Sequence, residues 1–133
     1  MTIATRDDEV SALRRALRNE RSLRTVVLFG SVARGTARPD SDIDLAVAPA
    51  PARAVAERIS ARIDAAIGRK VDFVDWDGAR QSVELAARLL RDGIPLRDNV
   101  GEWTSLCADR PNVLRRGRRR EAAWAALERR VLG

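Results

Sequence analysis

The stretch "VVLFGSVARGTARPDSDIDLAV" (residues 26–47) decides how the chain folds. "TVVLFG" (25–30) is rich in Val and ends at Gly30, so it reads as a buried strand. "GTARPDS" (35–41) is loop by its Gly, Pro and Asp content. "DIDLAV" (42–47) is a second strand, yet it spends two carboxylates where a strand normally buries side chains. Strand alternation puts Asp42 and Asp44 on one face and Ile43, Leu45 and Val47 on the other. Carboxylates this close repel, and one tends to keep its proton unless a cation compensates. A hard divalent ion with oxygen ligands answers that need.

Working outward, residues 7–20 place Val10, Leu13 and Leu17 on one helical face, with acids in the first turn. Pro49 and Pro51 end the second strand. A helix follows in which Val55, Ile59, Ile63 and Ile67 recur every four residues, closed by Gly68. "KVDFVDW" (70–76) alternates as a third strand. Residues 79–92 predict one helix with Val83, Ala86, Ala87 and Leu90 inward, and "IPL" (94–96) a short extended piece. Residues 98–118 are weakly patterned, apart from a short helix starting at "EWTSL". Residues 119–131 predict a final helix with Ala123, Trp124, Leu127 and Val131 on one packed side. The order is α-β-β-α-β-α plus a C-terminal region: a mixed α/β (α+β) fold with a small sheet flanked by helices and a C-terminal helical extension.

At 133 residues the chain fits one domain with a real core. No apolar run approaches the roughly 20 residues of a membrane span. The N-terminus lacks the basic-then-apolar pattern of a secretory signal, and a single cysteine, Cys107, suits a reducing cytoplasm. A cytoplasmic location is therefore expected. With no His, pairings of Ser or Cys with His are excluded, and a metal site must be built from oxygen ligands, which suits Mg²⁺ or Mn²⁺ rather than Zn²⁺. With no Tyr, chemistry on a tyrosine must occur on another molecule. The net charge of +6 is concentrated at one end. Residues 1–109 hold 17 basic and 17 acidic side chains, whereas 110–133 hold eight Arg against Glu121 and Glu128. The run "RRGRRR" (115–120) reads as a solvated face that could also meet RNA or an acidic partner. All basic residues but Lys70 are arginine, so no single Arg stands out from the chain's own bias.

Asp72 lies between Val71 and Phe73 in the third strand. If that strand neighbours the second, three carboxylates converge, the ligand set for two-metal phosphoryl or nucleotidyl transfer. Asp75, of opposite parity, competes with Asp72 but sits at the strand exit; Asp40 reads as a turn residue. "SVARG" looks like one helical turn starting at Ser31, whose free N–H groups suit a phosphate. Gly30 allows close backbone approach, and the Ser31 hydroxyl can donate a further hydrogen bond. Arg34, one turn on, either meets the same phosphates or makes a surface ion pair. The combination describes a nucleoside triphosphate site.

Gly30-Ser31, ten residues, then Asp42-x-Asp44, with a carboxylate in a later strand, resembles the nucleotidyltransferase superfamily related to DNA polymerase β. The longer string "FGSVARGTARPDSDIDLAV" resembles its minimal nucleotidyltransferase (MNT) branch, commonly antitoxins paired with HEPN ribonuclease toxins. The resemblance covers roughly residues 7–97. It implies a polymerase-β-like fold, with 1–97 as the nucleotidyltransferase domain and 98–133 as a basic helical extension of it. It implies Gly30 and Ser31 as the phosphate-binding pair, Asp42 and Asp44 as ligands shared by two Mg²⁺ ions, and Asp72 as the third carboxylate. It also implies AMP transfer from ATP to a tyrosine of a HEPN partner within a hetero-oligomer, silencing the partner. Two alternatives remain open on the residues: an antitoxin that neutralises by binding alone, and a nucleotidyltransferase acting on a small molecule or an RNA end.

Overall fold

The computed structural model describes residues 5–132. In chain order the elements are α1 (Arg6–Leu17), β1 (Thr25–Phe29), α2 (Ser31–Arg34), β2 (Ile43–Ala48), α3 (Arg53–Ile67) and β3 (Val71–Asp75). Then follow α4 (Trp76–Gln81), α5 (Val83–Asp92), β4 (Ile94–Asp98), α6 (Glu102–Ala108) and α7 (Arg110–Leu132). The strands form one sheet in the order β3-β2-β1-β4. The α3 crossover returns β3 parallel to β2, while β1 runs antiparallel to both β2 and β4.

Period-two alternation splits the core into two layers. Val26, Leu28, Ile43, Leu45 and Val47 face α1 and α3 through Leu13, Leu17, Ile59 and Ile63. Val27, Phe29, Ala46 and Ala48 face the other way, against Trp76, Ala79, Leu89, Leu106 and Val113 of α4 to α7. With both faces covered, β1 is buried at every position and reads as a continuous apolar run. The small Ala46 and Ala48 leave space on their face for Trp76, which is fully buried. This is the small mixed sheet flanked by helices expected from the sequence.

Three elements differ from expectation, each for a local reason. The helix expected over 79–92 is two helices, broken where Ser82 takes an extended conformation. Asp75 accepts from the Gly78 N–H and Ser82 from the Leu85 N–H, so two polar caps start two helices. "IPL" grows into β4, whose Pro95 is tolerated because β4 is an edge strand. The last helix begins at Arg110 rather than 119, with Pro111 in its first turn, where a missing N–H costs nothing. The expected packed face of that helix is also corrected: Trp124 is 65% exposed, Leu127 48% and Val131 75%. α7 runs back along α5, from Arg110 at Leu90 through Gly117 at Ala87 to Arg120 at Glu84, and these three side chains lie beyond that contact.

Half-buried arginines pin the connections. Arg97 of β4 donates to the carbonyls of Leu17 (2.7 Å), Leu23 (2.8 Å) and Glu20, satisfying the open carbonyl end of α1. Arg69, between α3 and β3, grips Glu9 of α1 with two bonds of 2.7 and 3.0 Å. Its remaining donor reaches the carbonyls of Arg38 (2.7 Å) and Ser41 (2.8 Å). One guanidinium thus ties α1 to the loop that leads into β2. Both side chains of that pair are 10% exposed, so neither charge has water to fall back on. We expect Arg69→Ala to lower unfolding free energy by about 3–5 kcal/mol in urea titration, the cost of stranding a buried partner. The double variant Arg69→Met with Glu9→Leu should recover most of that loss. Amides of residues 36–41 should still exchange faster than in the parent, because their carbonyl anchor is gone.

Candidate active site

The turn after β1 is the centre of the site. Gly30 has φ +83°, in the left-handed region that favours glycine, and it caps the one-turn helix α2. β1 pairs with β2 so that Phe29 stands opposite Asp44. The Asp44 carboxylate then lies directly against the Gly30 backbone, in the space a Cβ would fill. Two independent constraints, a positive φ and a carboxylate at contact distance, therefore require glycine here. Ser31 opens α2, and Gly35 closes it in the left-handed conformation.

Across the parallel pair, Asp44 stands in register with Asp72. Both alternate with residues of the layer that faces α4 to α7, so they project from the same side of the sheet. Asp44 is half-buried and Asp72 exposed. Asp42 precedes β2, exposed at the end of the loop. Burial, then the charges of Asp72 and Asp42, push the Asp44 carboxyl above its ordinary value. Arg88 and Arg34 act in the opposite sense. Asp44 thus senses both partner carboxylates. No group of three His, Cys, Asp or Glu among the described residues is drawn together tightly enough to surround an ion by itself. Coulomb repulsion reaches farther than coordination distance, and uncompensated carboxylates spread apart. The donor set fits a hard cation: two carboxylates in register on one face with Asp42 close enough to be felt by Asp44, and no softer ligand among them. Asp42, Asp44 and Asp72 are the residues that would hold it.

The other candidates fall out differently. Arg34 is on the site's edge, where its Nη1 meets Asp92 at 2.9 Å, the ion-pair alternative of the sequence reading. Its charge still reaches Asp44. Asp75 caps α4 through its 3.3 Å bond to the Gly78 N–H, a structural task. Asp40 lies in a turn where the Arg38 N–H donates to the Ser41 hydroxyl at 2.8 Å and the Ser41 N–H to the Arg38 carbonyl at 3.0 Å. Trp76 is a core residue, and Lys70 is exposed at the start of β3.

Sequence reasoning missed Arg88. Its guanidinium sits 5.6 Å above the Phe29 ring, a cation–π contact one residue from Gly30, and it is the strongest cation felt by Asp44. In a chain whose basic residues are nearly all arginine, nothing marks position 88 until α5 is laid across β1.

Two outcomes follow from this geometry. Because its folded-state pKa is raised, ionised Asp44 costs stability above the ordinary carboxylate range, and the cost disappears once both folded and unfolded states are protonated. Asp44→Asn should therefore raise the melting temperature of the metal-free protein at pH 7, with the gain vanishing as the pH falls below about 4. Gly30→Ala should lower it at both pH values, since its Cβ collides with the carboxylate and its φ is strained.

The sequence matches the family described as polymerase beta, nucleotidyltransferase over residues 11–99. None of the curated proteins matches the chain. Among solved structures, the fold is similar to a toxin–antitoxin crystal structure with AMP-PNP, at 23% identity and a TM-score of 0.61, covering 93% of this chain and 98% of that one. It is similar also to a mutant MntA–HpeT toxin–antitoxin structure, at 22% identity and a TM-score of 0.63, with the same coverage of 93% and 98%. A third is a tri-AMPylated Shewanella oneidensis HEPN toxin in complex with MNT antitoxin: 20% identity, TM-score 0.58, covering 96% and 99%. At these identities the likeness is one of fold. The family match runs from α1 to just past β4 and includes every carboxylate of the candidate site. The chain belongs to the polymerase beta nucleotidyltransferase family.

Proposed function

We propose that this chain is a Mg²⁺-dependent protein adenylyltransferase that moves AMP from ATP to a hydroxyl, a tyrosine by preference, of a HEPN-type ribonuclease partner, and so acts as an antitoxin. The observation that carries the chemistry is the register of Asp44 with Asp72, with the Asp44 carboxylate set against Gly30. Family membership supports nucleotidyl transfer. The choice of ATP and of a protein acceptor draws support from the AMP-PNP and tri-AMPylated complexes that share this fold. The absence of Tyr here suits an acceptor on another molecule.

In this reading the acceptor oxygen forms a bond to the α-phosphorus, the bond from that phosphorus to the bridging oxygen breaks, and pyrophosphate leaves. Mg²⁺, with Mn²⁺ as an alternative, would be held as two ions by Asp42, Asp44 and Asp72, offsetting negative charge at the α-phosphate and making the acceptor hydroxyl easier to deprotonate. Gly30 leaves the backbone open to the phosphates, and Ser31 donates its hydroxyl to a phosphate oxygen. Arg34 and Arg88 hold permanent positive charge beside the departing pyrophosphate. Loop 35–41, anchored by Arg69, keeps the phosphate end and the carboxylate end of the site at a fixed separation.

The open reading frame beside this chain's should encode a HEPN-type protein; label from α-labelled ATP should move to it, and its mass should rise by whole AMP units. Asp44→Asn and Asp42→Asn should each abolish transfer. Absence of transfer with Mg²⁺ or Mn²⁺ and any of the four ribonucleotides would overturn the proposal. Neutralisation that persists in Asp44→Asn would point instead to masking by binding.

A further inference from the structure

α7 is 23 residues long, and its two halves live in different surroundings. Val113 and Gly117 are buried on the face that meets the body of the protein. Continuing along that same face at helical spacing come Trp124, Leu127 and Val131, all exposed. A face that begins as core thus runs out into solvent as an apolar stripe. Scattered surface apolar residues need no explanation, but three large ones aligned on one helix face do.

The stripe is continuous with a groove of about 530 Å³ between α5 and α7. Its floor is the contact of Ala87 with Gly117, where a Cβ on the glycine would stand 3.3 Å from that of Ala87. Ion pairs across its walls, Arg120 to Glu84 at 3.3 Å and Arg91 to Glu121 at 3.7 Å, link the two helices. Trp124 lines the groove where it meets the stripe, and so does Arg88, whose guanidinium lies over the Phe29 ring beside Gly30. The surface therefore connects α7 to the candidate active site. From Gly117 to Val131 it spans about 21 Å, the length of a helix of roughly four turns.

Charge selects the occupant. Residues 110–133 carry eight Arg and two Glu, while the rest of the chain is neutral. A second copy would bring two such segments together against their own repulsion. RNA would answer the arginines and could stack on Trp124, but Leu127 and Val131 offer it neither charge nor an aromatic face. An amphipathic helix with acidic flanks answers both the stripe and the field.

We propose that the α5–α7 groove and the Trp124–Leu127–Val131 stripe dock an acidic amphipathic helix of the partner protein, holding it so that the acceptor hydroxyl meets the Asp44 face. The inference rests on the reading that the acceptor belongs to a partner protein. The stripe is what sets the acceptor class: a small molecule has no use for a surface that long.

The test is a calorimetric titration of the full-length chain with the HEPN-type partner of the proposed function, comparing parent with the Trp124→Ala, Leu127→Ala double variant. Both positions are exposed, so an unchanged melting temperature verifies the fold. The dissociation constant should rise about 30-fold or more, the loss typical of an aromatic anchor, and association should slow as salt is raised. The KM for the partner in the transfer assay should rise in parallel. Thermal stabilisation by a non-hydrolysable ATP analogue with Mg²⁺ should stay at the parental value. An affinity unchanged within about 3-fold would overturn the proposal, being below what one buried anchor contributes. So would loss of the nucleotide-induced stabilisation, a parental dimer that the variant abolishes in sedimentation, or poly(U) binding that depends on these two residues. Binding needs no turnover, so a partner that docks through the stripe but is never labelled counts against the transfer reading alone. A partner labelled with parental KM by the double variant counts against docking alone.

Discussion

The site depends on a steric fact: the Asp44 carboxylate occupies the space where residue 30 would carry a Cβ. That contact fixes three things together. It demands glycine at a positive φ, it turns the chain sharply off β1 into α2, and it brings the start of the Gly30–Ser31 turn against the acid. A carboxylate in that position is partly stripped of water and faces Asp72 and Asp42, so its ionised form is held at a cost. The fold tolerates the cost because β1 is buried at every position and β2 at every position but Asp44. In the proposed function the destabilised acid is the group whose charge a cation would use, so the same contact would weaken the metal-free protein and serve nucleotidyl transfer.

The rigid core supports this through arginines that are neither catalytic nor exposed. Arg69 answers a question the sequence leaves open, namely what the linker "TARPDS" does. The linker has little apolar content, and what orders it is a Pro39–Asp40 turn plus one guanidinium arriving from the other side of β3. Glu9, buried on α1, keeps that guanidinium in place. The loop between the Gly30–Ser31 turn and the Asp42–Asp44 carboxylates is thus anchored by a residue that touches neither. Arg97 performs a similar task for the α1–β1 connection, turning the open carbonyls of a helix end into ligands for a cation.

Much of this was legible in the residues because two periodicities carried it. Alternation in 42–47 and 70–75 assigned Asp44 and Asp72 to one face, and their register across a parallel pair makes them neighbours. Helices α1 and α3 were legible for the same reason, their apolar residues recurring at helical spacing. What was not legible was whatever depends on non-local contact. Ser82 looks like a mid-helix serine until its hydroxyl caps the Leu85 N–H, and Arg88 is one arginine among many until it lies over Phe29. The apolar face of 119–131 was read correctly as a helix face and wrongly as packed, because periodicity reports that a face is apolar and not what covers it.

That last difference links the two halves of the molecule. In the proposed reaction the carboxylates and the Gly-Ser turn would serve any hydroxyl presented with a nucleotide, so they would not choose an acceptor. Choice has to come from a surface that contacts the acceptor away from the reacting atoms, where binding energy can position it. The basic, half-uncovered α7 would be such a surface, tied to the site by α5, the helix that carries both Arg88 and the Ala87 floor of the groove. A shift of α5 would move the cation that tempers Asp44 and the groove together. Docking and chemistry would then share one mechanical element, and an acceptor that failed to seat on α7 would also leave the acid poorly balanced.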